Sequence, residues 1–227
     1  MPINESDNQA QIKSRQRVSE HGEVYTNPRE VNAMLDLVKE EAERIDSRFL
    51  EPACGNGNFL TEILTRKLRV VASRYQSVRT QYDLYALVAV SSIYGIDILQ
   101  DNVEECRRRL MTLFIDTYRT IHHCEPDDDY QKSVSYVLEK NILWGDALTL
   151  ETPDDSHTPI VFPEWSMVGG KIKRRDYTLD ALLKNQPMTE PNLFSDLGDQ
   201  AFIPTPLREY PLTEYTKIHT QDAADKL

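Results

Sequence analysis

Cysteine is scarce in this 227-residue chain: Cys54, Cys106 and Cys124 are widely spaced, and no two of them form a C-x-x-C pair. That spacing excludes a disulfide framework and a structural zinc site. No apolar run approaches the roughly eighteen residues of a membrane span, so no membrane partner is expected. The opening residues, Met1-Pro-Ile-Asn-Glu-Ser-Asp-Asn-Gln, offer neither a basic nor an apolar leader region, and a cytoplasmic location is expected. Basic residues are also in deficit, 26 Lys and Arg against 37 Asp and Glu, giving a net charge of −11. Duplex binding draws much of its affinity from neutralising phosphates, so the chain is not a general DNA binder. Its densest cationic run, Lys171-Ile-Lys173-Arg174-Arg175, reads as a solvated strand or loop ahead of a phosphate contact. His122-His123-Cys124 lacks a complementary pair and is read as a helix end, so no metal site is expected. A nucleophile elbow and internal repeats are both missing.

Against these absences stands Arg48-Phe-Leu-Glu51-Pro-Ala-Cys-Gly55-Asn-Gly57-Asn-Phe59-Leu60. Phe49 and Leu50 end a short apolar run, Gly55 and Gly57 permit a tight turn that leaves room for a ligand, and a helix is expected from about Asn58. Glu51 then falls at the carboxyl end of a strand, the edge of an open α/β sheet where ligands bind. Asp97 closes a second run, Tyr94 to Ile98. An acidic side chain there accepts ribose hydroxyl protons, while Ile98 covers a ring face; the plainer alternative is a turn or N-cap residue.

Along the chain, residues 1–17 are polar and aperiodic and are expected to form a flexible arm. Residues 18–184 carry alternating helical and strand patterns. Helical stripes run from Val31 to Ile45, Phe59 to Val71, Tyr82 to Val90, Val103 to Phe114 and Tyr130 to Leu138. Strands are expected at Phe49–Leu50, Tyr94–Ile98, Ile142–Trp144 and Pro159–Phe162, with Lys171–Lys173 a weak strand and Tyr177–Leu183 a helix. Residues 185–227 hold Pro187, Pro191, Pro204, Pro206 and Pro211 and are expected to be an extended tail that covers an apolar face in cis or docks on a partner.

Glu51-Pro-Ala-Cys-Gly-Asn-Gly-Asn-Phe59 resembles motif I of S-adenosylmethionine-dependent DNA methyltransferases of the N6-adenine type. Gly22-Glu-Val-Tyr25-Thr26-Asn27-Pro28 resembles motif X, Tyr94-Gly-Ile-Asp97-Ile98 motif II, and Asn141-Ile-Leu-Trp-Gly145-Asp146-Ala147-Leu148 motif III, in the family's order over residues 17 to 165. The resemblance implies an α/β, Rossmann-like class I methyltransferase fold, and because the pattern decays past Trp165 the sheet is expected to be incomplete after the fourth strand. It implies S-adenosylmethionine as cofactor, with Tyr25, Thr26, Glu51, Ala53, Gly55, Gly57, Asn58, Phe59, Asp97, Ile98, Asp146 and Ala147 around it. Asp146 resembles the residue that accepts from the adenine amino group; its alternative is a plain turn aspartate.

The family's Asn/Asp/Ser-Pro-Pro-aromatic loop, which polarises and stacks the target base, is absent from the sequence. At the expected place stands Phe162-Pro163-Glu164-Trp165, so Glu164 as acceptor and Trp165 as stacking ring are the candidate catalytic residues; alternatively both are ordinary loop and edge residues. The implied function is an N6-adenine-type subunit of a restriction-modification or phage-defence system, meeting DNA through a partner specificity or catalytic subunit in a homo- or hetero-oligomer. The alternatives are a catalytically silent cofactor-binding regulator or scaffold, and a methyltransferase for a substrate other than nucleic acid.

Overall fold

A computed structural model describes residue 17 and residues 26–184 and 205–226. Asn27 caps the first helix, α1 (Pro28–Leu37), by accepting from the Arg29 amide at 2.9 Å, and the proline supplies a preformed first turn. A short α2 (Lys39–Glu43) leads into β1 (Phe49–Glu51). Two helices, α3 (Asn58–Tyr75) and α4 (Arg79–Ser91), return the chain to β2 (Ile93–Asp97). Two more, α5 (Gln100–His122) and α6 (Asp128–Asn141), carry it to β3 (Ile142–Trp144).

The three strands are parallel in the order β1-β2-β3, with Glu51 opposite Gly95 and Asp97 opposite Trp144. All five residues of β2 are buried, as a central parallel strand requires when helices cover it. Leu60, Leu64, Leu68 and Val71 of α3 are buried against the sheet. Phe114, Tyr118 and Tyr130 form an aromatic layer between α5 and α6, and the Tyr130 hydroxyl donates to the Asp83 carbonyl at 2.6 Å.

The chain then leaves the parallel sheet. Strands β4 (Val161–Val168) and β5 (Lys171–Thr178) pair antiparallel across Gly169-Gly170, both at positive φ, and β6 (Arg208–Glu209) joins β5. Positive φ at both central residues suits a two-residue turn to the twist of the flanking strands. This corrects the expectation of a short fourth strand continuing the parallel sheet. A helix α7 (Leu179–Lys184) follows β5, and a 3₁₀ helix (Ile218–Lys226) follows β6.

Arg174 clamps this second sheet to the helices. Its guanidinium is buried, pairs with both oxygens of Asp176 at 2.7 Å, reaches Asp222 at 2.9 Å and the Tyr136 hydroxyl, and lies 4.1 Å from the centre of the Tyr210 ring. Residues 205–226 therefore pack back in cis on β5 and α6, with Ile218 fully buried and Tyr215 edge-on to Tyr130. The expected arm falls outside the described residues except Arg17, which pairs with Asp101 at 2.7 Å. The tail's residues 185–204 also lie outside them.

Candidate functional site

Beyond the carboxyl ends of β1, β2 and β3 opens a cleft of about 510 Å³. It is built where each strand gives way to a turn, because only there do backbone amides and short polar side chains become free to face a ligand. After β1 the chain turns through Gly55 (φ +53°) and Gly57 (φ +87°) before α3 begins. The turn is held at three points. The Cys54 amide donates to the Ile96 carbonyl at 2.8 Å, the Gly55 amide donates to Asp97 Oδ2 at 2.8 Å, and Arg109 Nη1 donates to the Asn56 carbonyl at 2.7 Å and Asn58 Oδ1 at 2.8 Å.

Asp97 joins the first two turns of the site. Besides the Gly55 amide, its carboxylate accepts from the Leu99 amide at 2.9 Å and from Asn102 Nδ2 at 3.3 Å. Three of the roughly four acceptor positions on a carboxylate are thus filled. The turn role and the ligand-facing position coexist in one residue, because Asp97 also lines the cleft. After β3, Asp146 accepts from the Leu148 amide at 2.8 Å and pairs across a bridge with Glu151. Ile98 and Leu148 are exposed large apolar residues at the cleft wall.

Glu51 stands at the end of β1, half-buried, and its Oε1 accepts from the Ala53 amide at 3.3 Å. Burial pushes its carboxyl above the ordinary glutamate range, and the Ala53 hydrogen bond offsets part of the rise. Thr26 closes the other wall, its carbonyl accepting from Asn58 Nδ2 at 3.0 Å.

Of the residues expected around a cofactor, Thr26, Glu51, Ala53, Gly55, Asn58, Phe59, Asp97, Ile98, Asp146 and Ala147 line this one cleft. Tyr25 lies outside the described residues. Gly57 does not line it: a Cβ there would meet Cys106 Sγ at 2.5 Å, so its missing side chain makes room for α5 and not for a ligand. Asn56 and Asn102 line the cleft without having been singled out, and Asn56 Oδ1 is buried without a hydrogen-bond partner among the described residues. The signal for Asn56 was its place between the two glycines.

Glu164 and Trp165 are not brought to the cleft. They lie inside β4, where successive side chains point to opposite faces. Trp165 faces inward: it is buried, and its Nε1 donates to Asn141 Oδ1 at 2.8 Å. Glu164 faces outward and pairs with Arg48 at 2.7 Å and Arg175 at 3.8 Å. The expectation of a loop that presents an acceptor and a stacking ring at the cleft mouth is therefore corrected. The cationic run is likewise engaged, with Lys171 on Glu214 at 3.0 Å, Lys173 on Glu209 at 3.0 Å and Arg174 on Asp176.

A stretch of 102 residues, 44% of this chain, is 29% identical to a protein of Methanocaldococcus jannaschii that carries the provisional name of a type II restriction enzyme and methyltransferase. The match spans 8% of that protein's length. No protein-family model matches the chain, and no solved structure matches it. Among the described residues, no helix is long and apolar enough to cross a membrane.

Proposed function

We propose that this chain is the S-adenosylmethionine-binding, methyltransferase-type subunit of a restriction-modification or phage-defence system, of the N6-adenine kind. The observation that carries the reading is the convergence of Glu51, the glycine turn, Asp97 and Asp146 on one cleft at the carboxyl ends of three parallel strands. The donor set fits the cofactor. A carboxylate at each strand end matches an ammonium, a ribose diol and an adenine amino group, which the cofactor presents in that order along its length. Glu51 would take the ammonium, Asp97 one ribose hydroxyl through its remaining acceptor position, and Asp146 the amino group, between the apolar walls of Ile98 and Leu148. When bound, the cofactor supplies an electrophilic methyl group on its sulfonium. The chain's own residues bind and orient it, which is where proximity lowers a transfer barrier. The similarity to a protein named for restriction and methylation supports the same class.

A second reading, a cofactor-binding subunit that leaves acceptor chemistry to a partner chain, is favoured by the inward burial of Trp165 and the paired state of Glu164. Methyl transfer separates the two. Tritium from labelled S-adenosylmethionine is expected to stay off duplex DNA when the chain is alone and to pass to it only when a partner is added. Robust transfer by the isolated chain would overturn the second reading and return the acceptor role to residues of this chain.

A further inference from the structure

A second cavity, of about 450 Å³, opens at the opposite end of the parallel strands. Residues 44–48 lead into β1 and Ser91 and Ser92 lead into β2, so their presence in the wall fixes the cavity at the amino ends, away from the cleft. Two features set its chemistry. Tyr75 at the end of α3 and Tyr85 of α4 are stacked, ring centres 4.0 Å apart and 3° from parallel, and both line the cavity. Around them stand Arg44, Arg48 and Arg74.

Arg44 pairs with Glu41 at 3.1 Å and with Asp46, itself in the cavity wall, at 3.5 Å, while Arg48 pairs with the partly buried Glu164 at 2.7 Å; both arginine side chains are more than half exposed. Exposed pairs such as those of Arg44 are worth little, so an incoming anion competes with the Glu41 and Asp46 carboxylates at small cost. Arg74 is exposed and has no acidic partner among the described residues. Its other role is to complement the carboxyl end of α3. That role does not account for its convergence with two more arginines on a tyrosine stack.

An aromatic platform beside several guanidinium groups suits a planar ring joined to a phosphate. We propose that this cavity binds a nucleoside phosphate, the base on the Tyr75–Tyr85 stack and the phosphate on Arg74, Arg44 and Arg48. The source is either a free nucleotide or a nucleotide within single-stranded nucleic acid. The site is independent of the cleft.

The test uses the full chain saturated with S-adenosylhomocysteine, with thymidine monophosphate and a short single-stranded oligothymidylate as probes, followed by calorimetry and fluorescence anisotropy. Arg74→Gln and Tyr85→Leu are each expected to weaken binding about tenfold. Omitting S-adenosylhomocysteine is expected to leave both probes' affinities unchanged, which separates this site from the cofactor reading. Binding of the oligonucleotide alone identifies a strand as the source; binding of the monophosphate alone identifies a free nucleotide. Thermal melts check folding, and if Tyr85→Leu does not fold, the exposed double variant Arg44→Gln/Arg74→Gln decides. Failure of both probes to bind, or unchanged affinity in that double variant, overturns the proposal.

Discussion

In the proposed reading, Glu51 carries a conflict between folding and binding. Its carboxyl is raised above the unfolded value of about 4.3. A carboxyl raised by folding costs nothing below the unfolded value, and its penalty grows as pH rises toward the folded value. Glu51→Gln is therefore expected to melt like wild type at acid pH and above wild type as pH rises to neutrality, while its affinity for S-adenosylhomocysteine at neutral pH falls about tenfold. Melting curves across that range and one titration check both. Lys67 obeys the opposite sign. It is fully buried below the strands' amino ends, donating to the Ile45 carbonyl at 3.3 Å, the Ser47 carbonyl and Ser92 Oγ, and burial brings its pKa down to about 7. The unfolded chain holds this proton up to about pH 10.5. Stability is thus expected to rise with pH from about 7 upward, with a slope of at most about 1.4 kcal/mol per pH unit from this residue. Lys67→Met loses hydrogen bonds and so melts lower, but the diagnostic is its flatter pH slope in denaturant titrations over that window.

Elements were legible where one period dominated. The stripe Phe59, Leu60, Ile63, Leu64, Leu68, Val71 specifies α3, and the apolar runs before Glu51 and Asp97 specify β1 and β2. The hairpin of β4 and β5 was not legible, because its inward alternate positions include Arg174 and Asp176. A buried ion pair on the core face erases the apolar alternation, and the bidentate Arg174–Asp176 contact becomes visible only once the strands are paired. The Gly169-Gly170 turn was the available signal. The site's glycine turn was legible as a turn, but the reason for Gly57 was not, since Cys106 arrives from another element. Gly57→Ala adds a Cβ at φ +87° against Cys106 Sγ. It is expected to destabilise the chain by about 2–4 kcal/mol in denaturant unfolding. Gly57→Ala/Cys106→Ala recovers the steric part and leaves the backbone part.

The molecule as a whole joins a parallel three-stranded sheet that bears the cleft to an antiparallel sheet that bears none of it. The grouping of the expected residues around one cleft was therefore legible, since they sit at strand ends that motif spacing marks. The acceptor side was not, because Glu164 and Trp165 belong to the second sheet and serve its packing and surface pairing. The central claim is that the cleft binds S-adenosylmethionine through Asp97. Calorimetric titration of the whole chain with S-adenosylhomocysteine tests it most directly. One saturable site is predicted, absent in a folded Asp97→Ala variant, with a stabilisation of about 2.7 kcal/mol at a hundredfold the dissociation constant. Neither heat nor thermal shift in wild type at saturating ligand would contradict it.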